Sequence, residues 1–228
     1  MGDYKGVKAM CGRYSITANG QQIALRFGVQ VAGDWQAHYN AAPSQNLPVI
    51  LNRDPQSVQW LRWGLVPHWA KDPSIGHKMI NARAETLLEK PSFREPLRKR
   101  RCLVLADGYY EWQATSNGKQ PMRFVLEDAQ PFAMAGLWEE WNAGTTPLAT
   151  FTVITTSANS MAAAVHNRMP VILEPETERD WLNPNADVAD LLPLLTPFAG
   201  EKMQVYPVST RLNSPSNDDS SLIARAAI

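Results

Sequence analysis

Short runs of β-branched, aromatic and aliphatic residues, each bounded by turn formers, dominate this chain. They fall at 47–51, 58–63, 103–106, 109–113, 122–126, 132–138, 151–155 and 171–173, and each predicts a strand of ordinary length. Asn117-Gly118 separates two of them and predicts a hairpin, because both central positions of a type I′ turn need positive φ. Helical patterns are shorter: 20–27, with Ile23, Leu25 and Phe27 apolar, then 84–100, 159–165, 177–182 and 188–195. The second is expected to break at Pro91 and Pro96, since proline lacks an amide donor. Strands and helices do not alternate regularly, which disfavours a doubly wound parallel sheet. The pattern predicts a single α+β domain, a twisted, mostly antiparallel sheet curling toward a barrel with short peripheral helices. After Ser209 the mix of Asn, Ser, Pro and Asp predicts loop.

Composition narrows the function. The 228 residues suit one domain, and 44% hydrophobic content can fill a core. Lys+Arg and Asp+Glu both number 22, which argues against a protein that coats duplexes; any nucleic-acid site must be a local patch. The two cysteines, Cys11 and Cys102, lie outside any CxxC pattern, so a reducing compartment fits better than a disulfide framework. His38, His68, His77 and His166 show no metal-ligand spacing, and neither metal nor cofactor is expected. No apolar run of about twenty residues predicts a membrane span, and the N-terminus lacks a secretion signal; the expected location is cytoplasmic, nucleoid-associated when acting on DNA. Residues 1–9 are polar and pattern-free, as a leader, a propeptide or a misassigned start would be. The domain is expected over 10–210, with a tail at 211–228.

Cys11 follows Met10. Were the chain to start or be cut there, Cys11 would carry a free α-amine and a thiol on adjacent carbons. Such a pair condenses with an aldehyde to a Schiff base and closes a thiazolidine. Reference pKa values near ~8 and ~8.5 need only modest tuning to make both groups nucleophilic at neutral pH. An ordinary buried cysteine at a strand start is the alternative. Glu111 lies within Asp107-Gly108-Tyr109-Tyr110-Glu111-Trp112. Alternation places Tyr109, Glu111 and Gln113 on one face and Tyr110 and Trp112 on the other. A carboxyl among aromatics is desolvated, which suits proton transfer; a surface glutamate is the bland reading. His166 ends the 159–165 helix, as a proton donor or as a helix C-terminal cation. Arg168 either binds phosphate or pairs with a carboxylate. Asn81 reads as an N-cap. Arg83, placed unfavourably for the dipole in a first helical turn, suggests an anion grip. Ser157 or Asn159 caps the following helix. Trp69, one of eight tryptophans, sits in a loop where it can stack on a base or wedge a helix end. The run Arg98-Lys99-Arg100-Arg101 is either a solvated helix end or, with Arg13, Arg83 and Arg168, part of a phosphate groove.

Six of these segments occur in one order: Met10-Cys11-Gly12-Arg13-Tyr14, Tyr39-Asn40-Ala41-Ala42-Pro43, Trp63-Gly64-Leu65-Val66-Pro67, Ile80-Asn81-Ala82-Arg83-Ala84-Glu85, Ala106-Asp107-Gly108-Tyr109-Tyr110-Glu111-Trp112 and Val165-His166-Asn167-Arg168-Met169-Pro170. Together they resemble the SOS-response-associated peptidase (SRAP) family of abasic-site-processing proteins. The resemblance implies a monomer that binds single-stranded DNA carrying an abasic site, often at a junction with duplex. It implies that Cys11 traps the ring-opened sugar as a thiazolidine, with Asn81 positioning, Glu111 shuttling protons and His166 protonating the sugar. Arg13, Asn40, Trp69, Arg83, Ser157 and Arg168 fall on expected DNA contacts. Family members usually begin at Met-Cys; here nine residues precede Met10, so the resemblance also implies removal of a leader, by self-cleavage or otherwise. An autopeptidase without DNA capture and a non-covalent binder of single strands are the alternatives.

Overall fold

The computed structural model describes residues 11–116, 118–143 and 146–226. Among the described residues there are twelve strands: β1 Tyr14–Ile16, β2 His38–Ala41, β3 Asn46–Leu51, β4 Asp54–Trp63, β5 Asn81–Arg83, β6 Arg101–Ala106, β7 Gly108–Thr115, β8 Gly118–Leu126, β9 Phe132–Trp141, β10 Leu148–Ser157, β11 Arg168–Pro170 and β12 Met203–Pro207. Five short helices accompany them: α1 Gly20–Phe27, α2 Pro91–Lys99, α3 Ser160–Ala163, α4 Glu178–Leu182 and α5 Val188–Leu191. Strands β10, β4, β3, β6 and β9 close on themselves, because β9 also pairs with β10. This is the α+β architecture and barrel-like closure that the pattern predicts. A second sheet runs β12-β8-β7-β1-β2. All strand pairs are antiparallel except β10 with β4 and with β5.

The two sheets meet at Asp107, between β6 and β7. Its carboxylate accepts from Ser15 Oγ at 2.7 Å, Ala18 N at 3.1 Å, Arg123 Nη2 at 3.1 Å, and from the amide and hydroxyl of Thr17. Gly108 follows: a Cβ there would lie 2.8 Å from Arg123 Nε and 3.0 Å from Ser15 Oγ, so a larger residue would have to push the Arg123 side chain off Asp107. The corner therefore passes the chain from β6 of the closed sheet to β7 of the second, in register with β1. Tyr109 enters the main core and Tyr110 a smaller cluster with Trp112, Val208, Leu212 and Leu222, as alternation requires.

Several local expectations shift. Pro91 opens α2, where its missing amide costs nothing, but the helix continues through Pro96; one lost bond does not stop a helix whose Leu97 is buried. A 3₁₀ turn ends at Lys78, and Asn81 opens β5 rather than a helix. Asn81 is thus no N-cap, and Arg83 is in no helical first turn. The strand expected at 171–173 forms at Arg168–Pro170, with Ile172 making only an isolated bridge to Met134. The hairpin pairs Thr115 with Gly118; Asn117 lies outside the described residues. The segment after Ser209 folds into 3₁₀ turns at 210–213 and 220–223. It is strapped to β2: Asp218 accepts from Tyr39 N and Asn40 N. Buried Leu212 and Leu222 are the reason that segment is ordered.

Arg101, expected in a solvated basic run or groove, is fully buried. Its guanidinium donates to the carbonyls of Trp181 at 2.8 Å, Leu97 at 2.9 Å, Arg98 at 2.7 Å and Asn183 at 2.5 Å. It ties the ends of α2 and α4 to β6, and those helix-end carbonyls otherwise lack intrahelical partners. Arg101→Met should cost about 3 kcal/mol or more, read as a lower urea midpoint, since each stranded buried acceptor costs ~1–3 kcal/mol. A loss below about 1 kcal/mol would mean water replaces the guanidinium.

Candidate functional site

The start of the described chain is drawn to the middle of β7. Tyr14 of β1 pairs with Tyr109, and Tyr110 N donates to Arg13 O at 3.1 Å. That register carries Cys11 to Glu111, whose Oε1 accepts from Cys11 N at 2.5 Å. Both residues are buried. Cys11 has φ of +44°, a left-handed conformation that costs an L-residue of order 1–2 kcal/mol. Such outliers persist where the surroundings enforce them, and they cluster at functional sites.

Burial dominates the ionisation here. It pushes the Cys11 thiol well above its ordinary value, and the charge and hydrogen bond of Glu111 push it further; Arg168 pulls the other way. Burial also raises the Glu111 carboxyl, opposed by its hydrogen bonds from Cys11 and by charge on His166. In the uncut chain burial and Glu111 therefore disfavour the thiolate. Two acids that both ionise poorly sit in contact, so a reacting thiol must pass its proton on, and Glu111 is the adjacent acceptor. Tyr109, on the same face of β7, feels both charges: burial first, then Cys11 and Glu111, raise its phenol.

The remaining residues arrive on strands that flank β10. Val153 pairs with Asn81 and Thr155 with Arg83 on β5, while Ser157 pairs with Arg168 on β11. Asn81 and Arg83, two apart, share the face opposite buried Ala82. His166 follows α3, whose N-cap is Asn159, accepting from Ala162 N at 2.8 Å. His166 Nδ1 accepts from Arg168 N at 3.2 Å, which puts the neutral ring's proton on Nε2 and makes that edge a donor.

The arginines differ sharply. Arg83 is exposed. Arg168 pairs bidentately with Glu85 at 2.5 and 2.9 Å and donates to Thr155 O at 2.7 Å, so the carboxylate alternative holds in this structure. Arg13 Nη1 donates to Asn40 Oδ1 at 2.8 Å and to Leu212 O at 2.9 Å. Asn40 is fully buried and spends its amide on the carbonyls of Leu212, Ser214 and Asn217. Asn40 thus supports Arg13, the other expected DNA contact on this side. Ser157 is exposed, and Trp69 stands on a turn at 52% exposure. That turn is held by Ala70, whose N donates to Pro67 O at 2.9 Å and whose O accepts from Trp141 Nε1 at 2.7 Å. Glu85 was missed by sequence reasoning; it lies inside a quoted motif, but its partner is 83 residues away.

The sequence profile of the family described as SOS response associated peptidase (SRAP) matches residues 10–215. The chain belongs to the SRAP family. Among its relatives, abasic site processing protein YoqW of Bacillus subtilis is 47% identical over 221 residues, covering 94% of this chain and 99% of that protein. Abasic site processing protein HMCES of Gallus gallus is 36% identical, covering 82% of this chain and 65% of that protein. A solved structure of a protein from Bacteroides thetaiotaomicron superposes with a TM-score of 0.86 at 34% identity, covering 95% of this chain and 100% of that one. Among the described residues, no helix is long and apolar enough to cross a membrane, and no group of acidic, His and Cys side chains could hold a metal ion.

Proposed function

We propose that this SRAP protein captures abasic sites in single-stranded DNA, acting as a monomer through Cys11 once that residue is N-terminal. The observation that carries the reading is the 2.5 Å contact between Cys11 N and Glu111. Once the Met10–Cys11 bond is cut, that nitrogen becomes an α-amine beside a desolvated carboxyl suited to proton transfer. The α-amine adds to the C1′ aldehyde, and the carbinolamine loses water as the imidazolium form of His166 protonates the departing hydroxyl, leaving an iminium ion and a neutral imidazole. Glu111 takes the thiol proton, sulfur adds to the iminium carbon to give the neutral ring nitrogen, and Glu111 returns its proton to His166. The net change is loss of one water. Asn81 positions the opened sugar. Arg83 and Arg168 with Ser157 hold the backbone, and Trp69 stacks on a neighbouring base, including at a junction with duplex. The relatives' names support the substrate.

Self-cleavage before Cys11 is a companion activity, favoured by a specific feature. In the uncut chain Cys11 N is the amide of the Met10–Cys11 bond, and it already meets Glu111. Attack by sulfur on the Met10 carbonyl forms a thioester and releases the nitrogen, protonated through Glu111; water then hydrolyses the thioester. Cutting that bond also abolishes the strained φ at Cys11.

The test is trapping of an oligonucleotide with one abasic site, next to an undamaged copy, on denaturing gels. The N-terminus is read by intact mass. Trimmed protein should give an adduct one water lighter than its two parts, on damaged DNA only. Acetylating the Cys11 α-amine should abolish it. An undiminished adduct after acetylation would sink the mechanism, and equal salt-dependent binding without any adduct would favour the non-covalent binder. An intact leader after long incubation would remove self-cleavage.

A further inference from the structure

The arginines beside the Cys11 site bring their own counter-ion. Glu85 grips both terminal nitrogens of Arg168. Its carboxyl lies well inside the charged range, held down chiefly by the Arg168 hydrogen bond, and Arg83 adds to that pull. Glu85 thus pairs with Arg168 and feels the charge of Arg83. A third Arg168 donor goes to Thr155 O, and Nε is buried with no partner among the described residues. No two-pronged face of this guanidinium is left for an outside anion.

We infer that Glu85 is an internal stand-in for a DNA phosphate, and that displacing it from Arg168 sets how tightly this face holds a strand. The inference rests on the single-stranded DNA reading above. Carboxylate and phosphate meet a guanidinium through the same paired geometry, so one can exchange for the other without moving the arginine. Arg168 is built to stay: its side chain is 13% exposed and tied to β10, whereas Glu85 is 51% exposed. A half-exposed pair is weak because water screens it. Glu85, half-exposed, can swing its carboxylate into solvent when displaced. The exchange would leave Arg168 facing phosphate while it continues to act on the Cys11 thiol.

The experiment measures binding of an undamaged oligothymidylate by fluorescence anisotropy across salt concentrations, for wild type, Glu85→Gln, Arg168→Gln and the double variant. Glu85→Gln should bind ~3–10-fold tighter near 50 mM salt, with a salt slope steeper by about 0.7, the value of one phosphate contact on a single strand. The gain should vanish on the Arg168→Gln background, where there is nothing to unmask. Glu85→Ser, which keeps no carboxylate, should show the same sign and stands in if the glutamine variant melts early. Weaker or unchanged binding by folded variants, with wild type still binding and capturing DNA, would make Glu85 a buttress and overturn this inference alone. Failure of wild type itself to bind single strands would overturn both readings.

Discussion

Cys11→Ala should leave no adduct that survives denaturing electrophoresis. The comparison uses chains whose translation starts at Met10, so that methionine removal exposes residue 11 in both proteins. The variant keeps its α-amine and can still form an imine with the sugar aldehyde. An imine hydrolyses once the protein unfolds, because no second nucleophile closes the ring. Adding borohydride during the reaction should therefore recover a reduced adduct with the variant. That recovery separates the amine, which starts the reaction, from the thiol, which makes its product durable. An adduct formed by the alanine variant at the wild-type level without reductant would rule out the thiazolidine. The raised thiol adds a condition: ring closure waits on proton removal, so in wild type the imine should be trappable before the ring.

Glu111→Gln should slow capture by ~10²–10⁴-fold, the usual contribution of a positioned acid or base. Binding of undamaged single strands should stay within about twofold, because Glu111 is buried against Cys11 and its proposed part is proton transfer. Stability should move the other way. Burial raises the carboxyl of Glu111 above its unfolded value near 4.5. The favourable state of the native site is the protonated one, complete below the unfolded value and lost as pH rises through the folded value. Glutamine never ionises, so the variant should be the more stable protein at and above neutrality, with the advantage fading toward pH 4. Thermal melts across that range check the sign. Equal loss of capture and of DNA affinity, with no pH-dependent gain in melting temperature, would make Glu111 a structural residue. A gain in stability with a loss of rate is the expected mark of a group kept for chemistry.

Much of the site was legible because its pieces are local. The i, i+2 alternation put Tyr109 and Glu111 on one face of β7, and Asn159 capped α3 as its side chain dictates. The order of six short motifs identified the family that the profile match establishes. Other features were illegible for a common reason. Glu85 and Arg168 are 83 residues apart, and Cys11 and Glu111 are 100 apart. No period in the chain connects them. Asn40 and Arg101 are polar residues in polar-looking runs, yet both are buried, because backbone carbonyls brought from distant loops satisfy their donors.

The sequence by itself determined the strand-rich α+β class, the short helices, the hairpin at 115–118 and the set of reactive side chains. These follow from alternation, capping and turn chemistry, which act over a few residues. Only the tertiary structure decided that the thiol is suppressed rather than activated, that Arg168 carries a counter-ion, and that Asn40 supports an arginine instead of reaching outward. Each of those depends on desolvation and on charges within a few ångströms, and both are set by which distant segments the barrel and its companion sheet bring together.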